Sequence, residues 1–126
     1  MKKNVPQRKT IVLVEDDNQS AADIKTFLEK QEFSVVHACD GEIAIETIKQ
    51  IKPDLVILDI IMPKIDGFTV AKKIHFDETI KNTPIIVFSA QEGMKDLFAL
   101  EGINDYMVKP IELKELLSKV RKRLGL

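Results

Sequence analysis

The 126-residue chain has one cysteine, no tryptophan, five glycines and five prolines. A single cysteine, Cys39, excludes an internal disulfide framework. The low glycine and proline content excludes collagen-like and low-complexity sequences. No apolar run approaches the roughly 20 residues that a membrane-spanning helix needs. What remains is an ordinary globular composition, with 44% hydrophobic and 31% charged residues.

The chain also lacks an excess of charge of either sign. Nineteen basic and 20 acidic residues give a formal net charge of −1. We therefore expect no direct contact with nucleic acid, which needs a basic field. The start of the chain, MKKNVPQRKT, is basic but has no apolar core, so it does not resemble a signal peptide. These features predict a cytoplasmic protein with no membrane insertion.

The length suits one domain. We expect residues 1–8 to form a short tail and residues 9–126 to form the domain. Five short runs rich in β-branched residues predict strands at 10–14, 33–38, 54–59, 84–89 and 105–108. The segments between them have helical spacing, clearest after the last run and fair in GFTVAKKIHF. The segment EGMKDLFALEG is a weaker candidate because it is short and contains glycine.

Strands that alternate with helices and are apolar throughout predict a parallel sheet covered on both faces, an α/β fold. Two strand orders are common for such sheets, and both bind ligands at the carboxyl ends of the strands. Polar residues end four of the five runs: Glu15, Asp16, Asp17, Asp59, Ser89 and Lys109. In the flavodoxin-like order 2-1-3-4-5, the first and third strands are neighbours, so their acids converge.

Carboxylates brought together in this way repel each other. At about 4 Å and an effective dielectric constant near 20, each pair costs about 4 kcal/mol. A proton or a cation must offset this repulsion, and crowded oxygen ligands suit Mg²⁺. Such a site attracts phosphoryl groups, whose other oxygens would need the Ser89 hydroxyl and the Lys109 ammonium. Asp59 would then be the nucleophile, since aspartate can form an aspartyl-phosphate. Any one acid alone is often only a helix cap, as Asp16 or Asp17 could be.

Four segments together resemble the receiver domain of two-component response regulators, a CheY-like family. They are IVLVEDD, DLVILDIIMPKIDGF, PIIVFSA and DYMVKP, and the match covers residues 9–124. The resemblance implies the flavodoxin-like (βα)5 fold with strand order 2-1-3-4-5. It also implies that the chain is a signalling phosphoacceptor rather than an enzyme, although it would assist its own phosphoryl transfer and aspartyl-phosphate hydrolysis.

By this resemblance, Asp59 would accept a phosphoryl group from a sensor histidine kinase or a phosphotransfer protein. Asp16 and Asp59 would bind Mg²⁺ directly. Glu15 would act nearby or through water, and the backbone carbonyl of Ile61 would supply a further ligand. Asp17, one residue further out, would not bind metal.

The same resemblance assigns a switch. Ser89 matches the hydroxyl that moves to meet the phosphoryl group, and Lys109 matches the family's cation. Tyr106 matches the aromatic residue that then swings inward, although a half-buried tyrosine in an edge strand explains it equally well. The Lys109–Pro110 bond resembles the family's cis peptide. The face of helix four, strand five and helix five would control a downstream protein target, as a monomer or a weak phosphorylation-linked dimer.

The chain departs from the family in two places. Between Ser89 and Lys109 it is about two residues shorter. The loss would fall in the loop after strand four or in helix four, which would then be shortened, irregular or mobile. Gln31 and Glu32 stand where a glycine often ends the first helix, so we expect the preferred left-handed cap to be missing, at a modest cost in stability.

Two other functions fit the fold. One is a degenerate receiver that binds proteins without phosphorylation, which the complete acid set argues against. The other is a flavodoxin-like cofactor protein, which would need a phosphate-binding loop where this chain has EDDNQSA.

No output domain follows the last helix, so we expect a stand-alone regulator, with a fragment of a longer protein as the alternative.

Overall fold

A computed structural model describes residues 7–126. Residues 1–6, which hold most of the predicted tail, lie outside the described residues. The strands are β1 (Thr10–Val14), β2 (Ser34–Ala38), β3 (Leu55–Asp59), β4 (Ile85–Ser89) and β5 (Tyr106–Val108). The helices are α1 (Asn18–Lys30), α2 (Gly41–Ile51), α3 (Gly67–Phe76), α4 (Lys95–Leu100) and α5 (Leu113–Leu124).

The five strands form one parallel sheet in the order β2-β1-β3-β4-β5. This confirms the predicted flavodoxin-like topology. All five residues of β3 and of β4 are buried, as the unbroken apolar runs predict. Helices α1 and α5 pack on one face of the sheet, and α2, α3 and α4 pack on the other. In the described part of the chain, no helix is both long and apolar enough to cross a membrane.

Aspartates begin three of the helices. The Asp17 carboxylate accepts hydrogen bonds from the N–H groups of Gln19 (2.9 Å) and Ser20 (3.0 Å), which caps α1. Asp40 caps α2 and Asp66 caps α3 in the same manner. The capping role expected for Asp16 or Asp17 thus belongs to Asp17.

The end of α1 forms a left-handed turn without glycine, so the expectation that this cap is missing was wrong. Glu32 has φ +70°, and its N–H donates to the Glu29 carbonyl at 3.0 Å. The next N–H, of Phe33, donates to the Leu28 carbonyl at 3.2 Å. This is the hydrogen-bond pattern of a Schellman motif, with glutamate in the position that favours glycine. The Glu32 side chain is exposed, so it does not offset the backbone cost through packing.

We expect Glu32→Gly to raise the free energy of unfolding by about 0.5–1 kcal/mol, because glycine adopts positive φ without a Cβ clash. Urea denaturation would measure the change. Glu32→Ala is the matched control, since it removes the same side chain but keeps the strained backbone, and it should leave stability unchanged. Equal gains from both substitutions would show that the side chain, and not the backbone angle, destabilises the turn.

Helix α4 has only six residues, which fits one of the alternatives expected for this segment. Of its residues, Phe98 alone is buried, and its ring meets Phe68 of α3 edge to face at 5.2 Å. At its end, the Glu101 carboxylate pairs with Lys72 of α3 at 2.9 Å and contacts His75 at 3.3 Å. These contacts tie α4 to α3.

Candidate functional site

Three carboxylates meet at the carboxyl edge of the sheet. Glu15 and Asp16 follow β1, and Asp59 ends β3, the strand beside it. One oxygen of each lies within 4.8 Å of the others. Glu15 and Asp59 are buried, whereas Asp16 is exposed. The predicted convergence of these acids is therefore observed, because two parallel neighbouring strands end at the same level.

Lys109 lies between the two buried acids. Its ammonium nitrogen is 3.3 Å from Asp59 Oδ2 and 3.5 Å from Glu15 Oε1. It also lies 5.2 Å from the centre of the Phe88 ring. Burial alone would lower the pKa of the ammonium, but attraction to Asp59 and Glu15 outweighs it, and the net pKa is raised. The group therefore stays charged beside the acids at neutral pH.

The pKa of Glu15 is raised to about 8. Burial is the main cause, followed by the hydrogen bond and the charge repulsion from Asp59. The N–H of Asp17 (3.3 Å) and the charge of Lys109 act in the opposite direction. Burial and repulsion from Asp59 thus outweigh the one ammonium, and a bound cation would act against this rise in the pKa of Glu15.

Hard oxygen ligands, two of them buried and one open to solvent, fit the requirements of Mg²⁺, which takes one or two carboxylates and keeps several waters. Glu15, Asp16 and Asp59 each offer one oxygen to such an ion, and which of them would bind it directly stays a prediction. Ile61 follows Asp59 by two residues, and its N–H lies 3.4 Å from Asp59 Oδ1. Its peptide unit therefore borders the site, and the role of its carbonyl stays a prediction.

Ser89 ends β4 and is buried on the same edge of the sheet. Its hydroxyl accepts a hydrogen bond from the N–H of Gln91 at 3.1 Å. The Gln91 carbonyl in turn accepts a hydrogen bond from the Tyr106 hydroxyl. The ring of Tyr106 is buried, 6.0 Å from the ring of Phe98, and burial raises the pKa of its hydroxyl. Ser89 and Tyr106 are thus connected through one residue of the β4–α4 loop.

The Lys109–Pro110 peptide is cis, as the resemblance implied. Three further residues lie in, or contact, the loops that follow β1 and β3, and these contacts were not predicted from the sequence. His37, at the end of β2, contacts the Glu15 backbone, and Asp40 pairs with Lys64 of the β3–α3 loop. The Asp-Gly pair at 40–41 indicates the start of a helix. No pattern in the sequence indicates that Asp40 contacts Lys64.

The fold and the acidic edge define a flavodoxin-like α/β domain with a site suited to a divalent cation. The sequence pattern of the response regulator receiver domain matches residues 11–121, so the chain belongs to that family. Members of this family are signalling domains rather than conventional enzymes.

Two similar curated proteins are DNA-binding regulators. The DNA-binding dual master transcriptional regulator RpaA of Synechocystis sp. is 33% identical over 116 residues, which are 90% of this chain and 48% of that protein. The DNA-binding response regulator MtrA of Mycolicibacterium smegmatis is 34% identical over 116 residues, 90% of this chain and 50% of that protein. The chain thus spans about half the length of these relatives.

Solved structures agree with the fold. The receiver domain of sensor histidine kinase PA1611 from Pseudomonas aeruginosa superposes with a TM-score of 0.85 at 26% identity. The superposition covers 95% of this chain and all of that one. In that structure a magnesium ion is coordinated in the active-site cleft.

Proposed function

We propose that this chain is a phosphorylation-activated switch. Asp59 accepts a phosphoryl group from the phosphohistidine of a sensor histidine kinase or a phosphotransfer protein, and the change alters the face formed by α4, β5 and α5. The observation that carries the proposal is the convergence of two buried acids, one exposed acid and the Lys109 ammonium within a few ångströms. A cytoplasmic location is part of this proposal, as is the assignment of residues 9–126 to the receiver.

In the proposed transfer, an Asp59 carboxylate oxygen attacks phosphorus and the bond from phosphorus to the donor imidazole nitrogen breaks. The electron pair of that bond stays on the imidazole, so Asp59 itself needs to lose no proton. Lys109 neutralises charge on the phosphoryl oxygens, and the Ser89 hydroxyl donates a hydrogen bond to one of them. A bound Mg²⁺ would supply charge neutralisation between the phosphoryl and carboxylate oxygens.

Three residues would hold that ion: Asp16 and Asp59 through their carboxylates, and Ile61 through its backbone carbonyl. Glu15 would act beside them or through water. The same arrangement would assist hydrolysis of the aspartyl-phosphate, so the switch would reset itself without being an enzyme acting on another substrate.

The signal would leave the site through Ser89. When its hydroxyl turns to the phosphoryl group, its contact with the Gln91 N–H changes, and Gln91 also accepts from Tyr106. A shift of the β4–α4 loop would therefore reach β5 and the short helix α4. Phosphorylation can only change the relative populations of conformations that the protein already adopts. The inactive and active conformations would differ in this loop.

We propose protein contacts as the output, made by a monomer or by a weak dimer that phosphorylation favours. The DNA binding in the names of RpaA and MtrA belongs to proteins of about twice the matched length. The net charge of −1 on this chain does not favour nucleic acid.

Intact mass after incubation with a small-molecule phosphodonor tests the proposal. We expect one phosphoryl adduct on the wild type with Mg²⁺, no adduct without Mg²⁺, and none on Asp59→Asn. Asp66→Asn is the control, because Asp66 caps α3 from the loop after Asp59 and lies outside the acid cluster. A folded wild type that gains no adduct would contradict the proposed switch and favour a binding module that works without phosphorylation.

Ile61 is half exposed beside the site, where its side chain would shield the phosphoryl group from water. We expect Ile61→Asn to shorten the lifetime of the phosphorylated state by about tenfold, since a polar side chain can orient an attacking water. Loss of the adduct with time, followed by intact mass, measures this. Ile61→Val is the control that keeps an apolar cover, and equal decay of all three proteins would exclude a shielding role.

A further inference from the structure

The corner between β2 and α2, residues 37–41, contacts both loops that carry the acidic site. On one side, His37 Nε2 lies 2.6 Å from the Glu15 backbone carbonyl oxygen. A carbonyl only accepts, so His37 donates from Nε2. The Glu15 N–H in turn donates to the Ala38 carbonyl at 3.1 Å. The backbone of Glu15 is therefore held at both its N–H and its carbonyl by the end of β2.

On the other side, the same corner holds the β3–α3 loop, residues 60–66. The ammonium of Lys64 lies 3.3 Å from Asp40 Oδ2. Gly41 packs so closely that a Cβ there would lie 2.6 Å from the Ile65 carbonyl oxygen and 2.9 Å from Ile65 Cβ. Asp40 is buried and also caps α2 through the Ile43 N–H at 2.9 Å, so its carboxylate is fixed before it meets Lys64.

Lys64 has φ +68°, an angle that a residue with a side chain adopts at a cost. Glycine or asparagine would fit this angle more easily. What lysine adds is the ammonium that reaches Asp40, whose charge raises the pKa of Lys64 mainly through their hydrogen bond. Lys64 therefore combines an unfavourable backbone angle with the ion pair that joins the β3–α3 loop to residues 37–41.

We propose that residues 37–41 are a brace that positions the two ligand-bearing loops, with His37 and Lys64 as positioning residues. The inference rests on the proposed function, because the loops matter for the oxygens that they present to Mg²⁺. Neither side chain needs to touch the ion. His37 fixes the peptide that carries Glu15 and precedes Asp16, and Lys64 fixes the loop that carries Ile61.

Lys64→Gln tests the second contact, because it keeps a side chain of similar size at the same φ and leaves Asp40 free to cap α2. The matched control is Lys49→Gln. Lys49 also bridges from α2 to the α3 region, with 3.5 Å to Asp77, and its side chain is 53% exposed compared with 56% for Lys64. For the first contact, His37→Leu removes the donor and His37→Gln retains one.

Two quantities are measured on the metal-free proteins and on titration with Mg²⁺: hydrogen exchange of residues 15–17 and 60–66, and the dissociation constant for Mg²⁺ by calorimetry. In Lys64→Gln we expect faster exchange in 60–66 and about three- to tenfold weaker Mg²⁺ binding, a smaller effect than loss of a direct ligand partner. In His37→Leu we expect faster exchange in residues 15–17 and a similar loss of Mg²⁺ affinity. His37→Gln and Lys49→Gln should stay within about twofold of wild type.

Unchanged exchange in both loops would overturn the brace. So would faster exchange with unchanged Mg²⁺ affinity in a wild type that binds Mg²⁺, since the contacts would then be structural alone. If the wild type binds no Mg²⁺, the proposed function fails. The brace is then tested by hydrogen exchange alone: it stands if exchange in the two loops is faster in Lys64→Gln and His37→Leu than in Lys49→Gln.

Discussion

Gly67→Ala is expected to lower the free energy of unfolding by about 3 kcal/mol, near the upper end of what overpacking costs. A Cβ on Gly67 would lie 2.4 Å from the Asp59 carbonyl oxygen and 2.6 Å from Ile60 Cα. Both are backbone atoms, so no side-chain rotation can relieve the clash. The Gly67 N–H also donates to the Ile60 carbonyl at 2.7 Å, which fixes the start of α3 against the end of β3.

The same substitution should impair the proposed phosphorylation, because the carbonyl oxygen that it displaces belongs to Asp59, the proposed phosphoacceptor. Urea denaturation measures the stability, and the adduct assay measures the site. Gly93→Ala is the control, since a Cβ there meets nothing within 4 Å and should change stability by less than about 0.5 kcal/mol. A Gly67→Ala protein within 1 kcal/mol of wild type would show that β3 and α3 can separate at this point.

Lys109→Met should reduce the rate of phosphoryl adduct formation by about 10²- to 10³-fold, the loss typical when one preorganised group that stabilises developing charge is removed. The ammonium contacts both Asp59 and Glu15, and methionine retains most of the aliphatic stem without the charge. The measurement is the time course of the adduct by intact mass, with circular dichroism to verify folding.

Two controls separate charge from position. Lys109→Arg keeps the charge in a larger planar group, and we expect it to recover part of the rate. Lys49→Met makes the same change in the Lys49–Asp77 ion pair and should have no effect. If Lys109→Met forms the adduct within fivefold of the wild-type rate, the ammonium is not the group that stabilises the transfer.

The strands could be predicted to within one residue because each is a short run of β-branched and apolar residues that the sheet buries. The acidic site followed from one further rule, that parallel strands present their ends at a common edge. Glu15 and Asp59 meet for that reason, although 44 residues separate them. Local pattern left two strand orders open, and the resemblance to receiver domains selected the order in which β1 and β3 are neighbours.

The extent of α4 and the contacts of residues 37–41 could be predicted less well. The segment 92–102 has a weak periodicity, and which of its residues form the helix depends on where Phe98 enters the core. Asp40 and Lys64 are 24 positions apart, and each is a charged residue of the kind usually found at the surface, so the sequence does not indicate that they pair. The left-handed conformation of Glu32 was not predicted, because the sequence has no glycine there and the burial of the next residue, Phe33, is a tertiary effect.

The shortness of α4 has a consequence for the thermodynamics of signalling. Six residues are far fewer than the roughly 12–15 at which an isolated helix becomes marginally stable in water, so α4 depends on Phe98 and on the Lys72–Glu101 pair. A segment with one buried anchor opens locally at a free energy well below that of global unfolding. Changing the ratio of two conformations from 1:99 to 99:1 requires a binding free energy that differs by about 5.5 kcal/mol between them. A smaller initial difference in free energy between the conformations requires less. In the proposed switch, weak attachment of α4 would therefore let a single phosphoryl group change the state of the protein with a small difference in interaction free energy.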